Sequence, residues 1–330
     1  MPAFTAVAPA KIILFGEHAV VYGMPAIAVP VPVLQARVII RADVYGEHGS
    51  VHLTAPAIAL DSELLELNPN HPLRKAVELT AQYLHAAYIP ACQITIHSTI
   101  PVAAGMGSGA AVSVALMRAL AAYLGHPLSP EILSELAYEV EKIHHGNPSG
   151  IDNTVIALEQ AVYFVRGQPA QPIQICQPFQ LVIADSGISS STAQVVAEVR
   201  AAWQTNPNQY ETFFKQIAQI STNARRLLES VSKTEPIQPA FLQELGLLMS
   251  ENQALLVDLG VSCLEIDRLV QAALNSGAYG AKLSGGGKGG NMIALVDDES
   301  REAVCLTLKE AGAGRVIVTT IGRRKDNLHR

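Results

Sequence analysis

The sequence predicts a protein of two domains that are built from both strands and helices. At 330 residues the chain is long for a single hydrophobic core, which makes two cores the better expectation. Runs rich in Ile and Val between Gly and Pro predict strands, and other stretches carry apolar residues at helical spacing. The stretch "VRGQPAQPIQICQPF" at 165–179 contains three prolines and four glutamines, a composition typical of domain junctions. We therefore place one domain at residues 1–170 and the other at residues 171–330.

The composition indicates a well-buried globular protein. Hydrophobic residues make up 49% of the chain and charged residues 16%, against about 25% charged residues in an average globular protein. The net charge is −6, and no cluster of Lys or Arg is present. This charge pattern argues against nucleic acid or a membrane surface as the main partner.

The cysteines show no zinc or dithiol redox motif. They stand far apart in the sequence without CxxC spacing, at Cys92, Cys176, Cys263 and Cys305. Scattered thiols are typical of proteins in a reducing cytoplasm. The N-terminal stretch also lacks the basic region of a signal peptide, so we expect a cytoplasmic protein.

The N-terminal half begins with predicted strands and continues with helices. "KIILF", "AIAV", "QARVIIRADV" and "ACQITIHSTI" predict strands, and in the last of these Ile94 and Ile96 share one face. Apolar spacing predicts one helix within 71–87 and another over about 110–124. A further helix is predicted to follow Ser129, which is a suitable N-cap residue.

The C-terminal half also mixes the two kinds of element. "QLVIADSG" and "NMIALV" predict strands. Between them a helix-rich stretch runs over about 192–276 and is broken near "SKTEPIQP", and a final helix and strand close the chain. No internal repeat or low-complexity tail is visible.

The stretch "PVAAGMGSGAA" joins a predicted strand to a predicted helix and could bind a phosphate. Glycines let the backbone approach an anion closely, and a helix start offers unpaired N–H groups with a positive dipole end. Ser108 adds a hydroxyl for a metal ion or a phosphate oxygen. A tight turn that needs small residues explains the pattern equally well. The Walker A pattern fails because no lysine follows the last glycine, and GxGxxG fails as well.

The stretch "SGGGKGGN" contains GxGxxG at Gly285, Gly287 and Gly290, but it does not predict a dinucleotide site. Five glycines in six positions produce the match by accident. A predicted strand follows, whereas the dinucleotide fold requires a helix there. We expect instead a close backbone contact with a ligand or with another loop.

Two acidic residues have open roles when judged from spacing alone. Glu141 and His145 share a helical face and are either part of a metal site or a solvated or salt-bridged pair. Asp152 follows the turn "NPSGI" and is either a general base on a rigid loop or a cap of its own turn.

A third polar group lies at the end of the first predicted strand. Gly16, Glu17 and His18 interrupt an apolar run in "KIILFGEHAVVYG", which suggests the rim of a site. The same tripeptide at 46–48 lies in a polar turn, and we assign no role to it. The sequence around the tripeptide therefore carries the signal.

Three separated stretches together resemble the GHMP small-molecule kinases. "APAKIILFGEHAVVYGMPAIA", "PVAAGMGSGAAVSVA" with "HHGNPSGIDN", and "KLSGGGKGG" stand in the order and roughly the spacing of that family. The first stretch and "HGNPSGIDN" resemble the mevalonate kinases within it. The resemblance covers nearly the whole chain and is weakest over about 193–276.

The resemblance implies an α+β fold of two domains. GHMP kinases have an N-terminal domain like the second domain of ribosomal protein S5 and a C-terminal ferredoxin-like α+β domain, with ATP and substrate between them. The family resemblance also implies a homodimer, for which the sequence carries no separate signature.

The resemblance further implies two catalytic residues. Asp152 matches the family's catalytic aspartate, which takes the proton from the C5 hydroxyl of mevalonate. Lys11 matches the lysine beside that aspartate, where a cation favours the ionised carboxylate and stabilises a developing alkoxide.

The resemblance also implies how ATP and Mg²⁺ are bound. Glu141 matches the family's magnesium ligand, and Ser108 is the hydroxyl that would join it. The phosphate-binding loop then consists of Pro101, Val102, Ala103, Ala104, Gly105, Met106, Gly107, Ser108, Gly109 and Ala110.

The resemblance implies three substrate-binding residues. At two places this chain differs from many of the family's members. Glu17, His18 and Thr192 match residues near mevalonate. Many relatives carry a second serine where this chain has Gly109. Some relatives carry basic residues beside the matching threonine, where this chain has Ser190 and Ala193, so the contacts to the mevalonate carboxylate are in question.

The function expected from the resemblance is ATP- and Mg²⁺-dependent phosphorylation of the C5 hydroxyl of (R)-mevalonate, a step in isoprenoid precursor synthesis. The alternatives are another GHMP kinase that acts on phosphomevalonate, homoserine or a sugar, and a catalytically silent ATP-binding sensor. The presence of both Asp152 and Lys11 argues against the sensor, and "HGNPSGIDN" argues against the other substrates.

Overall fold

The computed structural model of the chain describes residues 3–101, 104–145, 148–230 and 238–322. By its contacts the chain divides into two compact units. The first unit comprises residues 1–11, 32–102 and 106–159, and the second comprises 12–31, 103–105 and 160–330. The expected boundary between residues 170 and 171 stays a prediction.

Strands and helices are both well represented, as the α+β prediction requires. The strands are β1 Ala3–Phe15, β2 Ala26–Ala42, β3 Val51–Ala55, β4 Leu60–Glu63, β5 Cys92–Ser98, β6 Val162–Phe164, β7 Gln171–Pro172, β8 Phe179–Asp185, β9 Gly280–Ser284, β10 Asn291–Val296 and β11 Arg315–Ile321. The helices are α1 Pro72–Tyr83, α2 Ser108–Tyr123, α3 Pro130–His145, α4 Ile151–Leu158, α5 Thr192–Thr205, α6 Pro207–Ser230, α7 Pro239–Asp258, α8 Leu264–Asn275 and α9 Arg301–Glu310. Within the described ranges, no helix is long and apolar enough to cross a membrane.

The first unit combines a sheet with four helices. Its strands follow the order β4-β3-β5-β2, in which β3 and β5 run parallel and the other neighbours antiparallel. On β5, Ile94 and Ile96 are buried while Gln93 and His97 are exposed, which confirms the predicted alternation. Helices α1, α2 and α3 pack on one another, and α4 packs on α2 and α3.

Two of these helices begin at or within two residues of the predicted start. The α3 helix begins after Ser129, whose hydroxyl accepts a hydrogen bond from the N–H of Ile132 at 3.4 Å, so the predicted cap is confirmed. The α2 helix starts at Ser108, two residues before the prediction. Gly107 precedes it with φ 73°, a conformation that glycine adopts without strain.

The second unit contains a four-stranded antiparallel sheet in the order β11-β8-β10-β9. Along the chain, helices connect β8 to β9, β10 follows directly, and α9 leads to β11. This is the βαββαβ arrangement of ferredoxin-like domains, and the described residues between its first two strands form three additional helices. Every residue of β10 is buried, which places this strand in the core of the unit.

One helix departs from the sequence prediction. The stretch after "NPSG" is not a rigid loop, because α4 begins at Ile151 and carries Asp152 in its first turn. Gly150 has φ 89° and turns the chain directly into the helix. At eight residues α4 is too short to show a clear apolar period. The expected break near "SKTEPIQP" falls largely at 231–237, outside the described residues.

Candidate active site

In the first unit, Lys11 and Asp152 form an ion pair. The Nζ of Lys11 lies 2.9 Å from Oδ1 of Asp152. The Lys11 side chain is buried, whereas the Asp152 side chain keeps 31% of its surface exposed. The pair therefore presents a carboxylate that a ligand can reach, backed by a cation that water does not screen.

The glycine-rich loop is packed against the stem of Lys11. The backbone N–H of Lys11 donates to the carbonyl of Met106 at 3.0 Å. A Cβ on Gly107 would lie 3.1 Å from Cγ of Lys11 and 2.7 Å from Cδ1 of Ile156. Only glycine fits at this position, so the loop and the lysine fix each other's place.

Glu141 projects from α3 toward this ion pair. It is buried with 7% exposure, which excludes the solvated alternative for this carboxylate. The pKa of the Glu141 carboxyl is raised to about 7, first by burial and then by the charge of Asp152, while the charge of Lys11 opposes both. The two carboxylates and the lysine are thus electrostatically coupled.

The start of α2 completes this group. Ser108 is the first residue of α2, and the first N–H groups of a helix have no partner within the helix. A Cβ on Gly109 would lie 3.3 Å from Oε1 of Glu141, so the carboxylate sits against the first turn of the helix. The side chains of Met106 and Ala110 are buried, and both residues can offer a ligand only their backbone. Val102 and Ala103 lie outside the described residues.

The oxygen donors of Glu141 and Ser108 suit Mg²⁺ better than a metal whose ligands must all come from the protein. Mg²⁺ takes one or two carboxylates and completes its shell with phosphate oxygens and water. Glu141 and Ser108 supply such donors at the helix start. Among the described residues, no group of three or more His, Cys, Asp and Glu side chains could hold a metal.

In the second unit, Glu17 forms an ion pair with Lys282, and both side chains are fully buried. The expected site rim at Glu17 and His18 is therefore wrong as a statement of exposure, since His18 is also only 5% exposed. The apolar run on either side of "GEH" carries these polar residues into the interior. Lys282 also donates to the carbonyl of Leu283 at 2.6 Å.

His18 occupies a strained turn. It has φ 59° and ψ −49°, and the N–H of Ala19 donates to the carbonyl of Glu17 at 2.6 Å. These values define a γ-turn of the rare form with positive φ. The Nε2 of His18 lies 2.9 Å from the carbonyl of Gly286, and burial lowers the pKa of the imidazole to about 4. The neutral ring therefore donates from Nε2, and Nδ1 has no partner among the described residues.

Thr192 borders a small pocket in the same unit. Its other lining residues are small: Ala104, Gly105, Ser190, Ser284, Gly286, Gly287, Gly289 and Gly290. Ser190 donates from its hydroxyl to the carbonyl of Gly287 at 2.6 Å and thereby holds the glycine-rich loop. The lining contains hydroxyls and glycine N–H groups but no Lys or Arg among the described residues.

The loop at 285–290 makes the close backbone contacts that the sequence predicts. A Cβ on Gly287 would collide with the carbonyl of Val261, and one on Gly289 would collide with the carbonyl of Ile188. A strand follows the loop, so it is not a dinucleotide turn. Asn291, at the end of the loop, donates to the carbonyl of Ala104.

Sequence reasoning missed Lys282 as a member of this group. The only signal was a single charge inside "GAKLS", a run otherwise fit for a buried strand. A lysine in such a setting needs an acidic partner. That partner is Glu17, 265 residues earlier in the chain, and no local pattern connects the two.

Comparisons with known proteins find the same family in the N-terminal and C-terminal parts of the chain. Residues 71–160 match the family model of the GHMP kinases N terminal domain, and residues 237–314 match that of the GHMP kinases C terminal region. The mevalonate kinase of Pyrococcus horikoshii is 34% identical over 329 residues, which cover 96% of this chain and 95% of the relative.

Solved structures show the same likeness in the fold. The Methanococcus jannaschii mevalonate kinase matches with a TM-score of 0.82 at 25% identity, over 97% of this chain and 98% of the other. The L. major mevalonate kinase, solved in complex with R-mevalonate, matches with a TM-score of 0.79 at 30% identity, over 96% and 95%. The likeness in sequence and fold thus extends over nearly the whole chain.

Proposed function

The chain belongs to the GHMP kinases, and on that premise we propose that it transfers the γ-phosphoryl group of ATP to the C5 hydroxyl of (R)-mevalonate. Its relatives at 34% and 30% identity are mevalonate kinases. The observation that carries the proposal is the ion pair of Lys11 and Asp152 at 2.9 Å, beside the glycine-rich start of α2. An alcohol and an anionic phosphate chain are the two ligands that this arrangement suits.

Asp152 acts on the alcohol. Its partly exposed carboxylate accepts the proton of the C5 hydroxyl as the oxygen attacks the γ-phosphorus and ADP leaves. Lys11 holds the carboxylate in place and stabilises the negative charge that develops on the oxygen. Phosphoryl transfer needs little else from the protein than positioning and neutralisation of charge.

The loop at the start of α2 binds the phosphates. Its backbone N–H groups and the positive end of the helix dipole attract the phosphate oxygens. Gly105 and Gly107, both with positive φ, bring the backbone close enough for this contact.

We also propose that Glu141 and Ser108 hold Mg²⁺. Bound Mg²⁺ supplies positive charge that neutralises the phosphate oxygens during transfer. The buried Glu141 carboxylate lies close enough to Asp152 for their charges to interact unfavourably. A cation at Glu141 would relieve that repulsion and favour both ionised forms.

On the substrate side, we assign the alcohol to the neighbourhood of Thr192 and His18. Thr192 is exposed and borders the pocket of small residues. That lining lacks a basic side chain among the described residues, which disfavours phosphomevalonate as the substrate. The homodimer and the cytoplasmic location stay predictions.

A coupled ADP-release assay on the purified protein tests the proposal. With ATP and Mg²⁺ we expect turnover of (R)-mevalonate, and turnover of phosphomevalonate, homoserine and galactose at least a hundredfold lower in kcat/KM. A preference for one of these other alcohols would overturn the substrate assignment, and hydrolysis or binding of ATP without transfer to any alcohol would favour the sensor.

A further inference from the structure

Lys282 is a buried cation at the centre of β9. None of its side chain is exposed, and it stands opposite Ile293 of the central core strand β10. An ammonium group in such a place is costly unless it is paired and hydrogen-bonded. Lys282 is paired with Glu17 and donates to the carbonyl of Leu283.

Stability alone does not explain this pair. Replacing a buried ion pair by apolar residues of similar volume is often neutral or stabilising, because both charges lose their hydration. In some proteins buried charges of this kind fix one conformation among several. In this protein the pair can fix the backbone conformation of the residues beside Glu17.

The chain beside Glu17 is strained. His18 has positive φ in a γ-turn, which a residue with a side chain adopts only when its surroundings hold it there. Two side-chain contacts flank the turn. Glu17 is anchored by Lys282, and the ring of His18 donates to the carbonyl of Gly286.

The same two segments meet at a third point. The hydroxyl of Ser284 accepts from the N–H of Ile13 at 3.1 Å and donates to its carbonyl at 2.8 Å. Residues 13–18 are therefore fastened to residues 282–286 along their length. Gly286, at the end of this contact, lies against Thr192, whose Oγ1 would be only 2.7 Å from a Cβ on Gly286.

We propose that Lys282 is a positioning residue that, through Glu17, holds the strained turn at His18 against Gly286 and so sets the shape of the pocket beside Thr192. The inference rests on the proposed function only for the identity of the alcohol that binds beside Thr192. Glu17 then acts on the substrate site through the turn at His18, and not by direct contact.

Kinetics of two variants test this role. Lys282→Met removes one charge, and the double variant Glu17→Met/Lys282→Met removes both at similar side-chain volume. We expect Lys282→Met to raise the KM for the alcohol at least tenfold and leave the KM for ATP within twofold. We expect the double variant to regain a melting temperature close to that of the wild type while its KM for the alcohol stays raised.

Lys215→Met is the matched control, because Lys215 is exposed on α6 and lies 4.0 Å from its acidic partner Glu211. Its kinetic constants should equal those of the wild type. A double variant with normal KM for the alcohol would overturn the proposal. The two charges would then only neutralise each other and would not position the turn. Failure of the double variant to fold would overturn it as well.

The ring of His18 gives a readout that needs no substrate. In ¹⁵N spectra of the wild type at pH 7, we expect a single His18 tautomer protonated at Nε2. In the double variant we expect a mixture of tautomers, because the ring is no longer held on Gly286. An unchanged His18 signal would overturn the positioning role. If the wild type phosphorylates a different alcohol, the proposed substrate fails, and the KM comparison is made on that alcohol.

Discussion

At the scale of single residues, the chemistry depends on how Lys11 and Asp152 share their site. The Lys11 side chain is buried and the Asp152 carboxylate is partly exposed. The ammonium group therefore interacts with the carboxylate and not with solvent. An amide in place of the carboxylate keeps the shape of the side chain but removes the proton acceptor. The proposed role of Asp152 can therefore be tested with a variant of the same shape.

We predict that Asp152→Asn lowers kcat by a factor of about 10² to 10⁴, the usual worth of a general base. Binding of ATP should change by less than threefold, because the phosphate loop is intact. The coupled ADP-release assay measures kcat, and equilibrium binding of a fluorescent ATP analogue measures the affinity for ATP. Asp61→Asn is the control, because Asp61 is an exposed residue on β4 in the same unit. Near-normal turnover of Asp152→Asn would show that the base assignment is wrong.

Glu141 differs from Asp152 in its burial and hence in the effect of removing its charge. We predict that Glu141→Gln raises the Mg²⁺ concentration for half-maximal activity at least tenfold, because a metal ligand is lost. Stability should not fall, since a buried carboxylate beside Asp152 is replaced by a neutral group. Magnesium titrations of activity and thermal melts check both statements.

Glu139→Gln is the control for this change, because Glu139 lies on the same helix but is exposed and paired with Lys142. Its magnesium dependence should match that of the wild type. An unchanged magnesium dependence in Glu141→Gln would remove Glu141 from the proposed metal site.

At the scale of elements, α2 provides a comparison between its two ends. Gly107 before the helix and Gly125 after it both have positive φ, at 73° and 81°. A Cβ on Gly107 would press on Ile156 and Lys11, whereas a Cβ on Gly125 meets nothing within 4 Å. The two glycines therefore share a backbone conformation that would strain a residue with a side chain, and they differ in the room for a Cβ.

We predict that Gly107→Ala lowers stability by about 2–4 kcal/mol and kcat at least tenfold, whereas Gly125→Ala costs about 1 kcal/mol and leaves kcat unchanged. The difference arises because Gly107 packs on the stem of Lys11. Urea denaturation and steady-state kinetics measure both effects. Equal losses of kcat in the two variants would mean that the loop does not position the lysine.

Elements with a strong apolar pattern were predictable from sequence, whereas helix α4 and the turn at His18 were not. Helix α2 and strand β10 are apolar over many residues, and such runs dominate any local pattern. Helix α4 has only eight residues and follows directly on the turn at Gly150. The turn residues of "NPSG" therefore predicted a loop where the helix begins. The γ-turn at His18 has no sequence signature, because its strain is held by distant residues.

At the scale of the whole chain, the candidate site shows where sequence reasoning ends. Residues that share a motif, such as Ser108 and the glycines beside it, could be found from spacing. The family resemblance added Lys11, Asp152 and Glu141, whose local settings left their roles open. The partnership of Glu17 with Lys282 could be found only in the fold, since it joins a turn after β1 to strand β9, 265 residues later in the chain.

The stability of the folded chain should depend on pH through His18. Burial lowers the pKa of its imidazole to about 4, against an ordinary value of 6.5. Between these values the unfolded chain binds the proton and the folded chain does not, so acidification through this window favours unfolding. We predict that the wild type loses about 2 kcal/mol more stability between pH 7 and pH 5 than His18→Gln does. Urea denaturation at the two pH values gives the difference, with His97→Gln, an exposed histidine on β5, as the control that should follow the wild type. Equal losses in the wild type and His18→Gln would mean that the ring is already protonated, or water-exposed, in the folded protein at pH 5.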